Sequence, residues 1–71
     1  MVDYNSLKKA LEENGELMVK TDSGDQFELH KHNVTFDDTT KSIRIDGAAE
    51  IYWIDSTKIE YYWIHKKAKE K

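Results

Sequence analysis

Apolar positions recur at spacings of three and four near the N-terminus and at spacings of two thereafter. Tyr4, Leu7 and Leu11, with Ala10 beside them, predict an amphipathic helix over residues 3–14. Asp3 is placed to accept the free N–H groups of its first turn, and Asn14-Gly15 supplies a left-handed stop. A helix of about three turns is marginal in water alone, so its apolar stripe has to lie on the sheet that follows.

From Glu16 the period becomes two, with Leu17, Val19 and Thr21 on one face and Met18 and Lys20 on the other, until Asp22-Ser23-Gly24-Asp25 predicts a tight hairpin turn. Over residues 26–36 the parity changes: Phe27 and Leu29 are odd, Val34 and Phe36 even. One face takes all four only if an extra residue near positions 30–33, a β-bulge, resets the pleat and bends the strand. A polar loop over 37–41, a third strand marked by Ile43 and Ile45, and a turn at Gly47-Ala48-Ala49 lead to two aromatic strands around Ile51–Ile54 and Ile59–Ile64, separated by the polar residues 55–58. The expected fold is α+β and mostly β: the helix, then a five-stranded, strongly bent antiparallel sheet or small barrel. Residues 1–65 form its single domain and 66–71 a basic tail.

Composition narrows this. A 71-residue chain buries only roughly 60% of the surface its unfolded form exposes, so the core is small. Leu, Ile, Val and Phe number fifteen, and the four Tyr and two Trp supply the burial that keeps the chain globular. Without cysteine there is neither a disulfide nor a thiolate metal site, which leaves oligomerisation as the available staple. No apolar run is long enough to span a membrane and no signal-peptide pattern opens the chain, so the expected location is the cytoplasm. The net charge of −3 opposes bulk attraction to nucleic acid, although Lys66, Lys67, Lys69 and Lys71 crowd the last six positions.

The order of elements resembles the Sm-like fold of Sm, LSm and Hfq-type proteins, in which a helix precedes five strands of a bent barrel. Leu17-x-Val19-x-Thr21-x-x-Gly24 is similar to the first half of that family's first motif, and Ile54-Asp55-Ser56-Thr57-Lys58-Ile59 has the spacing of its second. The family's Arg-Gly pair is replaced here by Asp55-Ser56, and its second glycine in the bent strand is missing. The resemblance therefore implies the fold more than the RNA binding in which that arginine takes part. SH3-like barrels share the strand layout without the helix.

Three kinds of chemistry are open to these residues. His30-x-His32 with His65 is a set of nitrogen ligands of the type zinc takes, although exposed histidines on an outer face and a buried, hydrogen-bonded His65 are the simpler expectation. Ser6, Ser23, Ser42 and Ser56 sit at caps, turns or strand starts, no Gly-rich loop frames a nucleophile, and the adjacent Asp37 and Asp38 fit a polar turn; no enzyme activity and no cofactor are expected. The aromatics Tyr52, Trp53, Tyr61, Tyr62 and Trp63 are the main lead. Neighbours in a strand point to opposite faces, so part of this surface lies outside the core, where the helix, a protein partner or second copy, or stacked bases can cover it. The reading that follows is a non-catalytic interaction module, with Trp53, Tyr62 and Trp63 as anchors and self-association or a protein partner as the outcome. An RNA-binding alternative uses the aromatics with Lys58, Lys66, Lys67 and Lys69; a third is metal binding by the histidines.

Overall fold

In the computed structural model, which describes residues 2–66, the helix α1 runs over Tyr4–Asn14. Asp3 caps it, its carboxylate accepting the Ser6 N–H, and Gly15 ends it at φ 81°, donating its own N–H to the Leu11 carbonyl. Tyr4, Leu7 and Leu11 are its buried residues, the expected stripe.

Six strands follow: β1 (Glu16–Thr21), β2 (Gln26–His30), β3 (Val34–Asp37), β4 (Ser42–Asp46), β5 (Ile51–Asp55) and β6 (Ile59–Trp63). All pair antiparallel, in two three-stranded sheets ordered β2-β1-β6 and β3-β4-β5, rather than in a closed barrel. The expected long second strand is two strands. In place of a one-residue bulge, a 3-10 turn at Lys31–Asn33 separates β2 from β3 and carries the chain from one sheet to the other. Asn33 fixes this corner by accepting the His30 N–H on its side-chain oxygen, and Lys31 donates its N–H to the Gly15 carbonyl. The turn does what the bulge was expected to do, since Leu29 is buried and Phe27, Val34 and Phe36 pack against the core.

A second 3-10 turn, Ser56–Lys58, takes the chain back from β5 to β6. Its neighbours stitch it to both sheets: Asp22 donates its N–H to the Lys58 carbonyl, and Ser56 donates to that of Lys41. Leu7 and Leu11 meet Leu17, Val19, Leu29 and Ile59 from the first sheet and Ile43, Ile45 and Ile54 from the second in one core. No helix among the described residues is long and apolar enough to cross a membrane.

The helix is tied to the β3–β4 loop by a polar contact. The Tyr4 hydroxyl donates to Asp38 Oδ1 at 2.6 Å, and Lys8 Nζ donates to the same carboxylate at 3.0 Å. The Tyr4 hydroxyl is pushed up to about 12, first by its burial and then by the bond to Asp38. Asp38 is held below the usual carboxylate range, chiefly by that same hydroxyl and then by Lys8. Asp37 beside it closes the loop, accepting the N–H groups of Thr39 and Thr40. The adjacent carboxylates thus have separate structural tasks.

Candidate interaction surface

Strand parity sorts the aromatics, but a bulge in β6 changes the result. Lys20 pairs with Tyr61 and Thr21 with Ile59, which leaves Glu60 unpaired between them. Because of that extra residue, Ile59 and Tyr62 both turn toward the core, while Tyr61 and Trp63 share the outer face. Without it, Ile59, Tyr61 and Trp63 would all lie on one side. Tyr62 accordingly packs on the core as a half-buried side chain.

On the outer face of the first sheet Tyr61 and Trp63 stand side by side, ring centres 5.4 Å apart and tilted by 33°. Trp63 lies opposite Met18, and Lys20, opposite Tyr61, brings its ammonium to 5.9 Å from the Tyr61 ring centre. On the second sheet, β5 is an edge strand on which Ile51, Tyr52 and Trp53 are exposed in succession, by 43%, 40% and 68%. Ile54 alone of its large side chains is buried. Tyr52 shares the parity of Ile54, but at the sheet margin it packs on Phe27, ring centres 5.6 Å apart, and donates its hydroxyl to Glu50 at 2.7 Å. That bond raises the Tyr52 hydroxyl above its ordinary value.

The five aromatics are therefore divided among three places: the outer face of each sheet and the margin of the core. The helix turns its buried side chains elsewhere: Leu7 and Leu11 join the inner core, and Tyr4 packs edge-on against Phe36. Trp53 faces Arg44 across the β4–β5 pair, and Arg44 faces Thr35 across β3–β4. These residues, with Asp37, Thr40 and Ser42, line a shallow hollow of about 480 Å³. Arg44 has no carboxylate within ion-pair distance among the described residues. Sequence reading passed over Arg44, although its place between Ile43 and Ile45 requires it to point away from the core.

Asp55, where the Sm-like resemblance implies an arginine, has a structural task. Its carboxylate caps the second 3-10 turn by accepting from the Thr57 hydroxyl at 2.7 Å and the Thr57 N–H at 3.0 Å, which holds it below the usual carboxylate range. Ser56 after it is buried. Lys58 is exposed in that turn and Lys66 is exposed beyond β6, whereas Lys67 and Lys69 lie outside the described residues. An ionised Asp55 and the Glu50 carboxylate flank β5, an unfavourable frame for a polyanion.

The His30 and His32 rings are 5.5 Å apart, and His65, exposed rather than buried as expected, follows β6 and lines a hollow with Asn14, Glu16, Ile64 and Lys66. Comparison of the chain with protein-family models, characterised proteins and solved structures gives no match, so the site rests on its own geometry.

Proposed function

We propose that this protein is a non-catalytic interaction domain, of the general type of the Sm-like and SH3-like small barrels, that associates with a second copy of itself through the edge strand β5. One observation carries the reading: three consecutive large side chains, Ile51, Tyr52 and Trp53, are exposed on a strand whose outer edge has no strand partner among the described residues. Such an edge is a template for another strand, and natural sheets ordinarily blunt it with charge, proline or a covering loop. Here the strand itself carries Asp55 as its one charge, and Asp55 is occupied as a cap. Pairing with a like strand would satisfy the free backbone groups and bring the Ile51 and Trp53 side chains of each copy against those of the other. That is the self-complementary contact a two-fold interface needs. Two sheets joined by one-turn corners, with a preceding helix, support retaining the small-barrel resemblance as the frame.

The test is the solution mass by light scattering after size exclusion, at two protein and two salt concentrations, with a short uridine-rich RNA in a parallel run. The expected result is a dimer or higher closed assembly without RNA, little changed by salt. A strict monomer at high micromolar concentration overturns the reading. Arg44, beside Trp53 and without an ion-pair partner among the described residues, supports a second reading, RNA binding by stacking on Trp53 with Arg44, Lys58 and Lys66 toward phosphates. Co-elution with RNA at low salt and its loss at high salt would select that one.

A further inference from the structure

The β1–β2 hairpin carries a set of donors that the association surface leaves unused. Glu16 on β1 lies directly opposite His30 on β2, so their side chains share a face. Glu28, two residues before His30, shares it too, and the Glu-x-His-x-His run continues to His32 in the first 3-10 turn. One donor atom from each of Glu16, Glu28 and His30 lies within 4.8 Å of the other two. His30 Nε2 is 3.2 Å from Glu28 Oε2, and His30 Nδ1 is 3.9 Å from Glu16 Oε1. The His32 ring centre is 5.5 Å from that of His30.

The two contacts use different nitrogens of the His30 ring, so a shared ion would take one of them and draw the second carboxylate round to it; one donor atom from each residue already lies within 4.8 Å of the others. Donors held at about 2.0–2.2 Å from a tetrahedral zinc are roughly 3.3–3.5 Å from one another, and two imidazoles on one such ion have ring centres roughly 5 Å apart. The scaffold fixes the set without any ion: the β1–β2 ladder holds Glu16, Glu28 and His30, while the Asn33 and Gly15 hydrogen bonds pin the corner that carries His32. As a plain charge cluster the group contributes little, because its side chains are about one-third to one-half exposed and solvent screens such pairs. Imidazole nitrogen with carboxylate oxygen suits a first-row divalent ion better than calcium or magnesium, which take oxygen donors.

We propose that Glu16, Glu28 and His30, with His32 as fourth donor, bind a first-row divalent metal ion of the zinc type at the corner between β1, β2 and the first 3-10 turn. The ion ties the start of β1 to the point where the chain leaves the first sheet, so occupancy stiffens the corner that orients the two sheets. This site differs from the set of His30, His32 and His65, because two carboxylates replace His65.

The test uses the tag-free full chain, stripped with EDTA and dialysed, with zinc sulfate titrated by calorimetry and histidine side-chain NMR signals followed in parallel. The expected result is 1:1 binding that shifts the His30 and His32 ring signals. His30→Ala and the conservative, exposed-site Glu28→Gln should each weaken it at least about tenfold, and His65→Ala should leave it unchanged. Thermal melts should rise with zinc and return with EDTA. The proposal is overturned if no saturable binding occurs below about 100 μM zinc, if folded His30→Ala and Glu28→Gln bind as the parent does, or if His65→Ala alone abolishes binding.

Discussion

Replacing Trp53 with alanine separates the two roles an aromatic on an edge strand can have. The side chain is 68% exposed in the monomer, so roughly 150 Å² of it remains to be covered by a partner. At about 25 cal/mol/Å² this sets an upper limit near 4 kcal/mol for each copy, of which association realises a part. An anchor truncation of about 2 kcal/mol weakens the dissociation constant roughly 30-fold. In a two-fold interface the loss occurs twice, giving about 1,000-fold. The monomer loses only the smaller part of the contact already made, about 1 kcal/mol, whereas Leu7→Ala, at a side chain with no exposure, should cost about 2–5 kcal/mol. Sedimentation equilibrium gives the first quantity, and urea unfolding of dilute protein gives the second. The reasoning fails if Trp53→Ala leaves the dissociation constant within about threefold of the parent, or if it destabilises the monomer as much as Leu7→Ala does.

Two further outcomes concern the fold itself. Asp38, held below its ordinary value in the folded protein, contributes stability that is present above that value and lost as pH falls through the folded one. Tyr4, raised from 10.0 to about 12, contributes stability that is present below 10 and lost as pH rises toward 12. Urea midpoints from pH 2 to 12 should therefore fall at both ends, and Tyr4→Phe should reduce both falls, leaving at alkaline pH the smaller part that Tyr52 contributes. Gly15→Ala forces a side chain into φ 81° and should lower stability by about 1 kcal/mol, although the added methyl meets no neighbouring atom; a circular-dichroism melt measures it.

The helix and β1 were legible because each signals its own geometry locally: the spacing of Tyr4, Leu7 and Leu11, the cap at Asp3, and the alternation from Leu17 to Thr21. The parity conflict between Leu29 and Val34 correctly located the bend. It could not distinguish a bulge from a 3-10 turn, since both reset the pleat. The aromatic faces were harder to read. Whether Tyr61 and Trp63 or Tyr62 turn outward depends on the unpaired Glu60, a property of how β6 meets β1 and not of β6 alone. Likewise, Glu16 and Glu28 join His30 through pairing across the hairpin, whereas the Glu-His-His alternation along the chain drew attention to the histidines alone.

The pairing order also sets a sequence of assembly. Sheet β3-β4-β5 is built from consecutive strands, each joined to the next by a short turn, so every one of its ladders closes a small loop. The other sheet is different: β1 meets β2 locally, but its second ladder joins Met18 to Trp63, positions 45 apart (63 − 18). Closing that loop costs chain entropy before any contact between the two strands compensates it. The three-strand meander can therefore form early, and the docking of β6 on β1 is the late event that buries Ile59 and closes the core. Until it happens β1 is itself an open edge, and where protein concentration approaches the effective concentration of the tethered strand two half-folded chains can exchange their last strands.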